Sequence, residues 1–397
     1  MTLSTVEEVR ERLLKEAQPI QGVESVSISS AFGRTLANDL VSSIAVPPAD
    51  NSAMDGFAVR AAEIVPGVQL SISQIIPAGS PGEGLRKGTA ARIFTGGQMP
   101  VGADAVLIQE DADFTPDHLL PKTPVSIGEN VRPAGQDIEQ GAVIARSGQV
   151  LKPADLSLIA SVGISELRVV RRLKVAILAT GDELVEPSKP LRPGQIYNSN
   201  QKGLAATLEQ MGLSVIDLGI VKDSLEETVA AFRTAAEQAD VILSSGGVSV
   251  GDRDHVKAAV GELGELSVWK LAIKPGKPLA FGQVCGKPFF GLPGNPVSTF
   301  VTFQVLARPF LDRMQGRTVG GQITWPGQST FEFEAGARQE YLRVRACPGP
   351  TTVALERFKE QGSGVMTSLA WANALAVVSP HQRVNVGDTL PYLLIDG

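Results

Sequence analysis

The feature that most constrains this chain is a glycine-rich loop that directly follows an apolar run. The run at residues 239–243 reads ADVIL and is typical of a buried parallel strand. Residues 244–254 read SSGGVSVGDRD, which combines three glycines, three serines and two carboxylates. Glycines let backbone amides approach an anion closely, and open α/β sheets bind ligands where their parallel strands end. The pattern favours a phosphate site with a cation beside it, although a solvated glycine-rich turn has the same composition.

A second loop of the same kind, TGDEL at residues 180–184, follows the apolar run at 173–179. Between the two runs the pattern predicts a helix over 198–211, a strand over 214–219 and a helix over 224–238, as βαβ units require. The carboxyl ends of the predicted strands therefore share one edge of a sheet, and each carries acids: Asp182 and Glu183, Asp223, and Asp252 with Asp254. Such a concentration of carboxylates needs a cation or protons to compensate its charge.

Positive charge is concentrated in the segment WKLAIKPGKP at residues 269–278. Alternation along a short strand places Lys270 and Lys274 on one face, and Pro-Gly forces a turn before Lys277. Lysine is a mobile point charge suited to phosphate or another oxyanion. Lysines also protect exposed edge strands from aggregation, so the cluster is either an anion site or a solvated edge.

Two later segments add candidates for anion binding. The turn GLPGNP at 291–296 predicts a long apolar helix over 297–314, whose N-terminus either faces an anion or simply begins at proline. Arg343 and Arg345 alternate with apolar residues, so one strand face is basic; it is either a solvated edge or a set of planar donors for an oxyanion. Hydroxyl and amide donors near a predicted helix start complete the set: Ser363 and Ser368.

These motifs together resemble one family. TGDEL, SSGGVSVGDRD, KPGKP and GLPGNPVS, in this order, are similar to the motifs of the molybdopterin molybdenumtransferase family, which includes bacterial MoeA and the E-domain of gephyrin. Residues 47–58 are similar to the family segment that ends in MDGYA, and residues 92–106 to its TG…P.GADAVV pattern. Residues 128–137 are similar to G.N.R..GED, except that Gln136 replaces the usual acid. TGDEL alone is less specific, because CinA-type domains share it.

The resemblance implies which residues carry the chemistry. Catalytic roles fall on Asp55, Thr95, Asp137, Glu183, Asp223 and Asp254, of which Glu183, Asp223 and Asp254 would hold Mg²⁺. Asp55 also fits an ordinary Asp-Gly hairpin turn, and Asp137 an ordinary loop cap. Substrate- and anion-binding roles fall on Thr180, Gly181, Asp182, Ser245, Gly246, Gly247, Ser249, Lys270, Lys274, Lys277, Pro278, Pro293, Pro296, Arg343, Arg345, Ser363 and Ser368.

Composition excludes several classes of protein. With 43% hydrophobic and 20% charged residues, the chain has the composition of an ordinary soluble protein, and no run approaches the ~18–20 apolar residues of a membrane span. A net charge of −6 argues against nucleic acid as a partner. Cys285, Cys347 and three scattered histidines lack metal spacing, which leaves oxygen ligands for any metal. The N-terminus does not resemble a signal peptide, so we expect reduced thiols and a cytoplasmic location.

A length of 397 residues predicts two to four domains, and the fold class is a multidomain α/β plus β protein. We expect an elongated, discontinuous N-terminal domain from residues 1–40 and 140–171, with a β-rich domain over 41–139 inserted into it. Residues 172–318 predict an α/β domain with a mostly parallel sheet, which the resemblance implies to be MogA-like. Short strands at regular spacing over 319–397 predict a C-terminal β barrel or sandwich.

The resemblance implies a cytoplasmic enzyme that accepts adenylylated molybdopterin, releases AMP and inserts molybdate. It further implies a homodimer with sites at the subunit boundary, transient contact with the molybdopterin adenylyltransferase, and no nucleic acid or membrane partner. Three alternatives remain. The adenylyltransferase of the preceding step resembles only residues 172–315, and a CinA-type nucleotide hydrolase lacks the MDG and GLPGNP segments. A gephyrin-like scaffold would carry a further domain and a long linker.

Overall fold

The structure is a computed structural model that describes residues 3–246, 255–318, 324–349 and 352–395. Its first part joins segments that lie far apart in sequence. Two antiparallel strand pairs make this connection: Val23–Ser27 with Glu166–Val170, and Leu40–Val41 with Val143–Ala145. Helix Pro153–Ser161 packs beside them through Ile159, in a small core with Leu151 and Leu167. The pairings bring together the chain on either side of the next sheet.

A six-stranded sheet occupies the region between those segments. Its strands, in spatial order, are Ala105–Ile108, Gly56–Val59, Thr89–Ile93, Leu70–Ile76, His118–Pro121 and Ala112–Phe114. Inward-facing side chains such as Phe57, Leu107 and Leu119 fill one core, because side chains alternate between the two faces of a strand. The pair Asn51–Ser52 with Val131–Arg132 lies alongside. Short 3₁₀ helices in the N-terminal half are Ile28–Ser30, Ala61–Glu63 and Gln109–Asp111.

The central domain is built on a second six-stranded sheet. Its strands, in spatial order, are Ser214–Val221, Lys174–Thr180, Val241–Ser245, Lys287–Leu292, Pro278–Val284 and Gly264–Lys270. The first four are parallel to each other, and Pro278–Val284 runs antiparallel to both of its neighbours. Strand Lys174–Thr180 is buried on both faces because apolar cores lie on each side of the sheet. The pair Leu184–Val185 with Ile196–Tyr197 lies outside this sheet.

The helices that cover the central sheet are Ser199–Gln210, Leu225–Gln238, His255–Leu263, Pro296–Thr302 and Arg308–Met314. Helix Leu225–Gln238 begins as predicted, with the Ser224 hydroxyl accepting the Glu227 N–H at 3.3 Å. The helix predicted over 297–314 is interrupted by a π-helical segment, Phe303–Ala307. Pro309, which lacks a backbone N–H, lies two residues after this segment and breaks the regular hydrogen-bond ladder. None of the helices in the described ranges is long and apolar enough to cross a membrane.

The first helix, Val6–Glu16, packs against the central domain. Thr5 and Glu8 form the reciprocal capping box that fixes its start. Val6, Val9 and Leu13 are completely buried, in the same core as residues of helix Arg308–Met314. The residue before this helix extends the contact, because Ser4 forms a β-bridge with Leu271.

The C-terminal region is a closed five-stranded barrel, which decides between the predicted barrel and sandwich. Around the barrel the strands are Gln339–Pro348, Val353–Arg357, Trp325–Ser329, Thr389–Leu394 and Ala374–Val378, which returns to Gln339–Pro348. The pair Phe333–Glu334 with Arg383–Val384 and helix Met366–Trp371 flank it.

The central domain contributes a sixth strand, Ile273–Lys274, to the barrel sheet. The prediction that Lys270 and Lys274 share one face of a single strand is therefore wrong. Lys270 ends a strand of the central sheet, whereas Lys274 pairs with Glu340 in the barrel. Between them the chain leaves one sheet for the other at Leu271, where it bridges to Ser4.

Candidate active site

Four parallel strands of the central sheet end at one edge, at Thr180, Val221, Ser245 and Leu292. Gly246 follows with a φ of 91°, and its N–H donates to the carbonyl oxygen of Leu292 at 3.2 Å. A Cβ on Gly246 would lie 2.8 Å from the carbonyl oxygen of Thr180, so both conformation and space require glycine here. The ends of three of these strands are therefore in direct contact.

Two buried hydroxyl groups lie at this edge. Thr180 and Ser244 are almost completely buried, yet their hydroxyl oxygens have no hydrogen-bond partner among the residues that the structure describes. Buried polar groups normally find such a partner. The Thr180 hydroxyl lies 3.7 Å from the point that a Cβ on Gly246 would occupy, beside the glycine that an anion would approach. These hydroxyls fit a crevice that receives a polar ligand.

The acids predicted at this edge are arranged around the loop that follows Thr180. Asp182 Oδ1 accepts the backbone N–H of Asp223 at 3.3 Å, which links the loops after two neighbouring strands. The Glu183 carboxylate folds back over Gly181, where a Cβ would lie 2.6 Å from Glu183 Oε2. Gly181 has a φ of 149°, so its backbone also favours glycine.

Two of the three predicted metal ligands lie in the described residues. Glu183 and Asp223 supply carboxylate oxygens on adjacent loops, the donor type that Mg²⁺ prefers. Within the described ranges, no group of three or more histidine, cysteine, aspartate or glutamate side chains is arranged to hold a metal ion. The third predicted ligand, Asp254, lies outside those ranges, as do Gly247 and Ser249. The two described carboxylates fit a magnesium site in chemistry, and the ligand set stays a prediction.

An open groove with a volume of about 910 Å³ begins at Leu184, directly after Glu183. Lys202 crosses it, with Nζ 3.4 Å from both Glu186 Oε2 and Asp217 Oδ2. The charge of Asp217 is the main cause that raises the pKa of Lys202. The groove flanks the glycine loops and does not include them.

The lysine segment is held by three separate parts of the chain. Ser4 forms backbone hydrogen bonds with Lys270 and Ala272, at 3.1 and 2.8 Å. On the other side, strand Ile273–Lys274 is paired with the barrel. Beneath the turn, Gly276 has a φ of 112°, and a Cβ there would lie 2.5 Å from the hydroxyl oxygen of Thr302. The turn is therefore fixed against the helix that follows GLPGNP, and Pro278 pairs with Lys270 across the hairpin.

The predicted lysines differ in their partners. Lys274 is half exposed, and its Nζ lies 3.1 and 3.2 Å from the two carboxylate oxygens of Glu340, whose side chain is only 4% exposed. Lys277 is exposed, and its backbone carbonyl accepts the Leu271 N–H at 2.7 Å. Lys270 is half-buried. Lys274 thus connects the central domain to a buried acid of the barrel.

The barrel also covers the start of helix Pro296–Thr302. The Val297 N–H donates to the carbonyl oxygen of Ser363 at 3.0 Å. One amide that the sequence offers to an anion is therefore used by the barrel segment. Pro293 and Pro296 flank this contact and fix the backbone of the turn.

Arg343 is completely buried in the barrel wall. Its guanidinium donates to Ser368 Oγ at 3.0 Å, to the Gly362 carbonyl at 3.1 Å and to the Tyr341 carbonyl at 3.5 Å. Burial lowers the pKa of Arg343 to about 10, and the nearby charge of Glu340 acts in the opposite direction. The alternative that Arg343 belongs to a solvated edge is wrong, because the closed barrel has no such edge there. A direct contact with an oxyanion stays a prediction.

Ser368 and Arg345 are also engaged with the protein. The Ser368 hydroxyl accepts from Arg343 and donates to the Val365 carbonyl at 2.6 Å. Arg345 is exposed and lies over the ring of Trp371, with 4.7 Å between the guanidinium carbon and the ring centroid. Its Nε donates to the carbonyl of Trp371 at 2.8 Å.

Asp55 and Thr95 form a pair in the inserted sheet. Asp55 Oδ1 accepts both the Thr95 N–H and the Thr95 hydroxyl, each at 2.8 Å. These two bonds, the backbone one first, hold the pKa of Asp55 below its ordinary value of 3.8, and the charge of Arg92 acts in the same direction. The Asp55 carbonyl accepts the Gln109 N–H at 3.2 Å, so these bonds all lie within the inserted sheet.

Asp137 lies on an exposed turn near the same sheet. Its backbone N–H donates to the Val46 carbonyl at 3.0 Å. The sequence allowed Asp137 to cap this loop. In the structure Asp50 caps it instead, because Asp50 Oδ1 accepts the Ala134 N–H at 2.8 Å. The Asp137 side chain is exposed.

Known protein families match this chain along most of its length. Three family models match in order: the MoeA N-terminal region (domain I and II) at residues 4–163, a probable molybdopterin binding domain at 176–313, and the MoeA C-terminal region (domain IV) at 328–395. A molybdopterin molybdenumtransferase from Haemophilus influenzae is 42% identical over 319 residues, which cover 79% of this chain and 78% of the relative. One from Staphylococcus aureus is 30% identical over 402 residues, covering 98% and 95%.

The chain belongs to the molybdopterin molybdenumtransferase family. The crystal structure of a molybdopterin biosynthesis MoeA protein from Pyrococcus horikoshii OT3 superimposes with a TM-score of 0.85 at 27% identity, over 99% of this chain and all of that one. The predicted resemblance and fold class are confirmed, as is the assignment to the transferases of molybdenum cofactor biosynthesis. The matches extend well beyond the central domain, so the adenylyltransferase and CinA-type alternatives are not favoured, nor is a scaffold role.

Two residues of this molybdopterin molybdenumtransferase family member were missed by sequence reasoning. Asn200 falls in the first turn of the helix predicted over 198–211, and its amide nitrogen lies 2.9 Å from Ser245 Oγ and 2.7 Å from the Gly294 carbonyl. The sequence does not predict the burial of Glu340, because a lone acid in a strand is usually exposed. An asparagine two residues into a helix at the ligand edge of a sheet is a signal that could have been used for Asn200.

Proposed function

We propose that this protein accepts adenylylated molybdopterin, cleaves its phosphoanhydride to release AMP, and inserts molybdate into the dithiolene. The observation that carries the proposal is the contact of the loops after Thr180, Ser245 and Leu292 at one edge of the central sheet. Family membership supplies the reaction class, since the relatives are named for molybdenum transfer to molybdopterin. We place the reaction in the cytoplasm.

Anionic substrates need hydrogen-bond donors and positive charge. Thr180 supplies a hydroxyl without a described partner at the strand ends, whereas the Gly246 N–H is already bonded to the Leu292 carbonyl. We propose that Lys274 and Lys277 bind molybdate, whose tetrahedral oxygens resemble those of phosphate. The groove beside Leu184 is large enough to receive an organic part of the substrate, at about 910 Å³.

Glu183, Asp223 and Asp254 are the residues that we propose to hold Mg²⁺. A bound magnesium ion would polarise the anhydride and orient the attacking water. The chain then needs no nucleophilic residue, because positioning and charge stabilisation suffice for phosphoryl transfer. Asp182 keeps the loops of Glu183 and Asp223 together through its bond to the Asp223 amide.

We propose that a second copy of the chain completes the site. The hydrogen bonds of Asp55 and Thr95 lie within the inserted sheet, which supports their delivery to the crevice of a partner subunit. Mixing Asp55→Ala with Lys274→Ala protein tests this, once mass spectrometry shows that hybrid dimers form. We expect part of the activity to return in the hybrids. Hybrids no more active than the separate variants would show that each subunit works alone. We further propose transient contact with the molybdopterin adenylyltransferase, which supplies the substrate.

The activity itself is tested by incubating the protein with adenylylated molybdopterin, molybdate and Mg²⁺ and measuring AMP. We expect AMP release that requires both molybdate and Mg²⁺. Two further assays act as controls: ATP-dependent adenylylation of molybdopterin and hydrolysis of free nucleotides. Activity in either of these, without molybdate-dependent AMP release, would contradict the proposal.

A further inference from the structure

One amide side chain joins loops that follow two different strands of the central sheet. Asn200 Nδ2 lies 2.9 Å from Ser245 Oγ, 2.7 Å from the Gly294 carbonyl oxygen and 3.2 Å from Thr299 Oγ1. A carbonyl oxygen only accepts hydrogen bonds, so the atom that faces Gly294 is the NH₂ group of the amide. Asn200 is therefore a donor toward the turn of GLPGNP and toward the end of strand Val241–Ser245.

The acceptors of Asn200 are themselves fixed. The Thr299 hydroxyl donates to the Asn295 carbonyl at 3.0 Å and also contacts the Pro293 carbonyl closely. A Cβ on Gly294 would lie 3.9 Å from the Cα of Gly246, so the two glycine loops lie side by side with room for little more than a methyl group between these glycines. Asn200 thus bridges the point where these loops meet.

We propose that Asn200 is a positioning residue that sets the spacing of the Gly246 and Gly294 loops, an inference that rests on the proposed function. A ligand can approach the glycines of both loops closely because they lack side chains, and its fit depends on the separation of the two loops. Displacement of a positioning group by about 1 Å can cost about 10²-fold in rate. A single NH₂ group that contacts Ser245, the residue before Gly246, and the carbonyl of Gly294 itself supplies that separation.

The substitution Asn200→Asp tests this with almost no change in size. At pH 8 the introduced carboxylate has no proton to donate, so it repels the Gly294 carbonyl and the loops separate. Desolvation raises the pKa of a carboxyl in such a place, and once protonated it donates again. We expect AMP with Mg²⁺, measured by calorimetry, to bind about tenfold more weakly to this variant at pH 8 and nearly as tightly as to wild type at pH 5. Asn200→Ala is the control, with weak binding at both pH values.

Hydrogen exchange separates this inference from the proposed function. We expect the backbone amides of the non-proline residues in 293–299 to exchange faster in Asn200→Asp than in wild type at pH 8, with residues 374–378 in the barrel unchanged. If wild type fails to bind AMP while this exchange difference is present, the proposed function fails and the positioning role stands. Wild-type exchange and AMP affinity in Asn200→Asp at pH 8 would overturn the inference, as would a loss of affinity that does not recover at pH 5.

Discussion

The lysine turn of the central domain and the arginine strand of the barrel carry similar basic patterns but use them differently. Lys274 is half exposed and shares its charge with Glu340, and Lys277 is exposed. Arg343 is 1% exposed, and its guanidinium donates to Ser368 and to two carbonyl groups of the barrel. This difference shows that the basic residues of a motif can have two roles. Some keep N–H donors that a ligand can use, and others use their donors to stabilise the fold.

The largest effect is expected at the acids of the crevice. Glu183→Gln keeps the size of the side chain and removes a charged oxygen ligand, so Mg²⁺-dependent AMP release should fall ~10²-fold or more. The exposed Glu226 on the neighbouring helix provides a matched control, since Glu226→Gln should leave AMP release unchanged. Melting temperatures of both variants should equal that of wild type. Full turnover by Glu183→Gln would remove this residue from the metal site.

Arg343→Ala tests whether the buried arginine of the barrel stabilises the fold. Its loss leaves the buried Ser368 hydroxyl and Tyr341 carbonyl, and the Gly362 carbonyl, without their donor, so the free energy of unfolding should fall by about 3 kcal/mol. Arg345→Ala, two residues along the same strand, removes an exposed side chain and should cost less than about 1 kcal/mol. Chemical denaturation of both variants measures the difference. Equal stability of the two would mean that the buried contacts of Arg343 do not hold the barrel.

Lys274→Ala separates ligand binding from stability. Molybdate affinity, measured by calorimetry, should fall about tenfold, because one charge-assisted contact is lost. The variant also leaves Glu340 buried and unpaired, so unfolding free energy should fall by about 1 kcal/mol, discounted for the exposure of the lysine. Adding Glu340→Gln should restore the stability and not the affinity. Lys87→Ala, at an exposed lysine of the inserted sheet, is the control.

The smallest effect is expected for Thr95→Val, which should change only the pKa of Asp55. Its pKa is depressed, so the fold favours the carboxylate; the stability this provides is present above pH 3.8 and is lost as the pH falls below it. Thr95→Val removes the hydroxyl bond and keeps the backbone bond, which is the larger cause of the shift. The pKa of Asp55, followed by carboxyl carbon NMR, should therefore rise part of the way to its ordinary value. An unchanged pKa would mean that the hydroxyl bond has no influence on the carboxylate.

Much of the fold is predictable from sequence where local pattern decides the structure. Strands Val353–Arg357, Ala374–Val378 and Thr389–Leu394 lie in the region where regularly spaced short strands predict a β barrel. Helix Val6–Glu16 begins at a capping box, in which Thr5 and Glu8 are only three residues apart. In these segments the residues that determine the element are close in sequence.

Prediction fails where the decisive partner is distant in sequence. The two lysines of WKLAIKP separate because Lys274 pairs with Glu340, which is 66 residues away. Sequence alone left a solvated edge open for Arg343, because its burial depends on closure of the barrel. Asn200 joins loops 45 and 94 residues further along the chain, a relation that no local pattern contains. Loop contacts of this kind are set by tertiary packing.

The central claim is that Lys274 or Lys277 of the central domain contacts the oxyanion, alone or together with an arginine of the barrel strand. Crystals soaked with molybdate and AMP, measured at the molybdenum absorption edge, test this directly. The account predicts an anomalous peak within hydrogen-bonding reach of the Lys274 or Lys277 ammonium group, with AMP beside Thr180 and Gly246. A peak in contact with Arg343 or Arg345 alone, with neither lysine nearby, would contradict it.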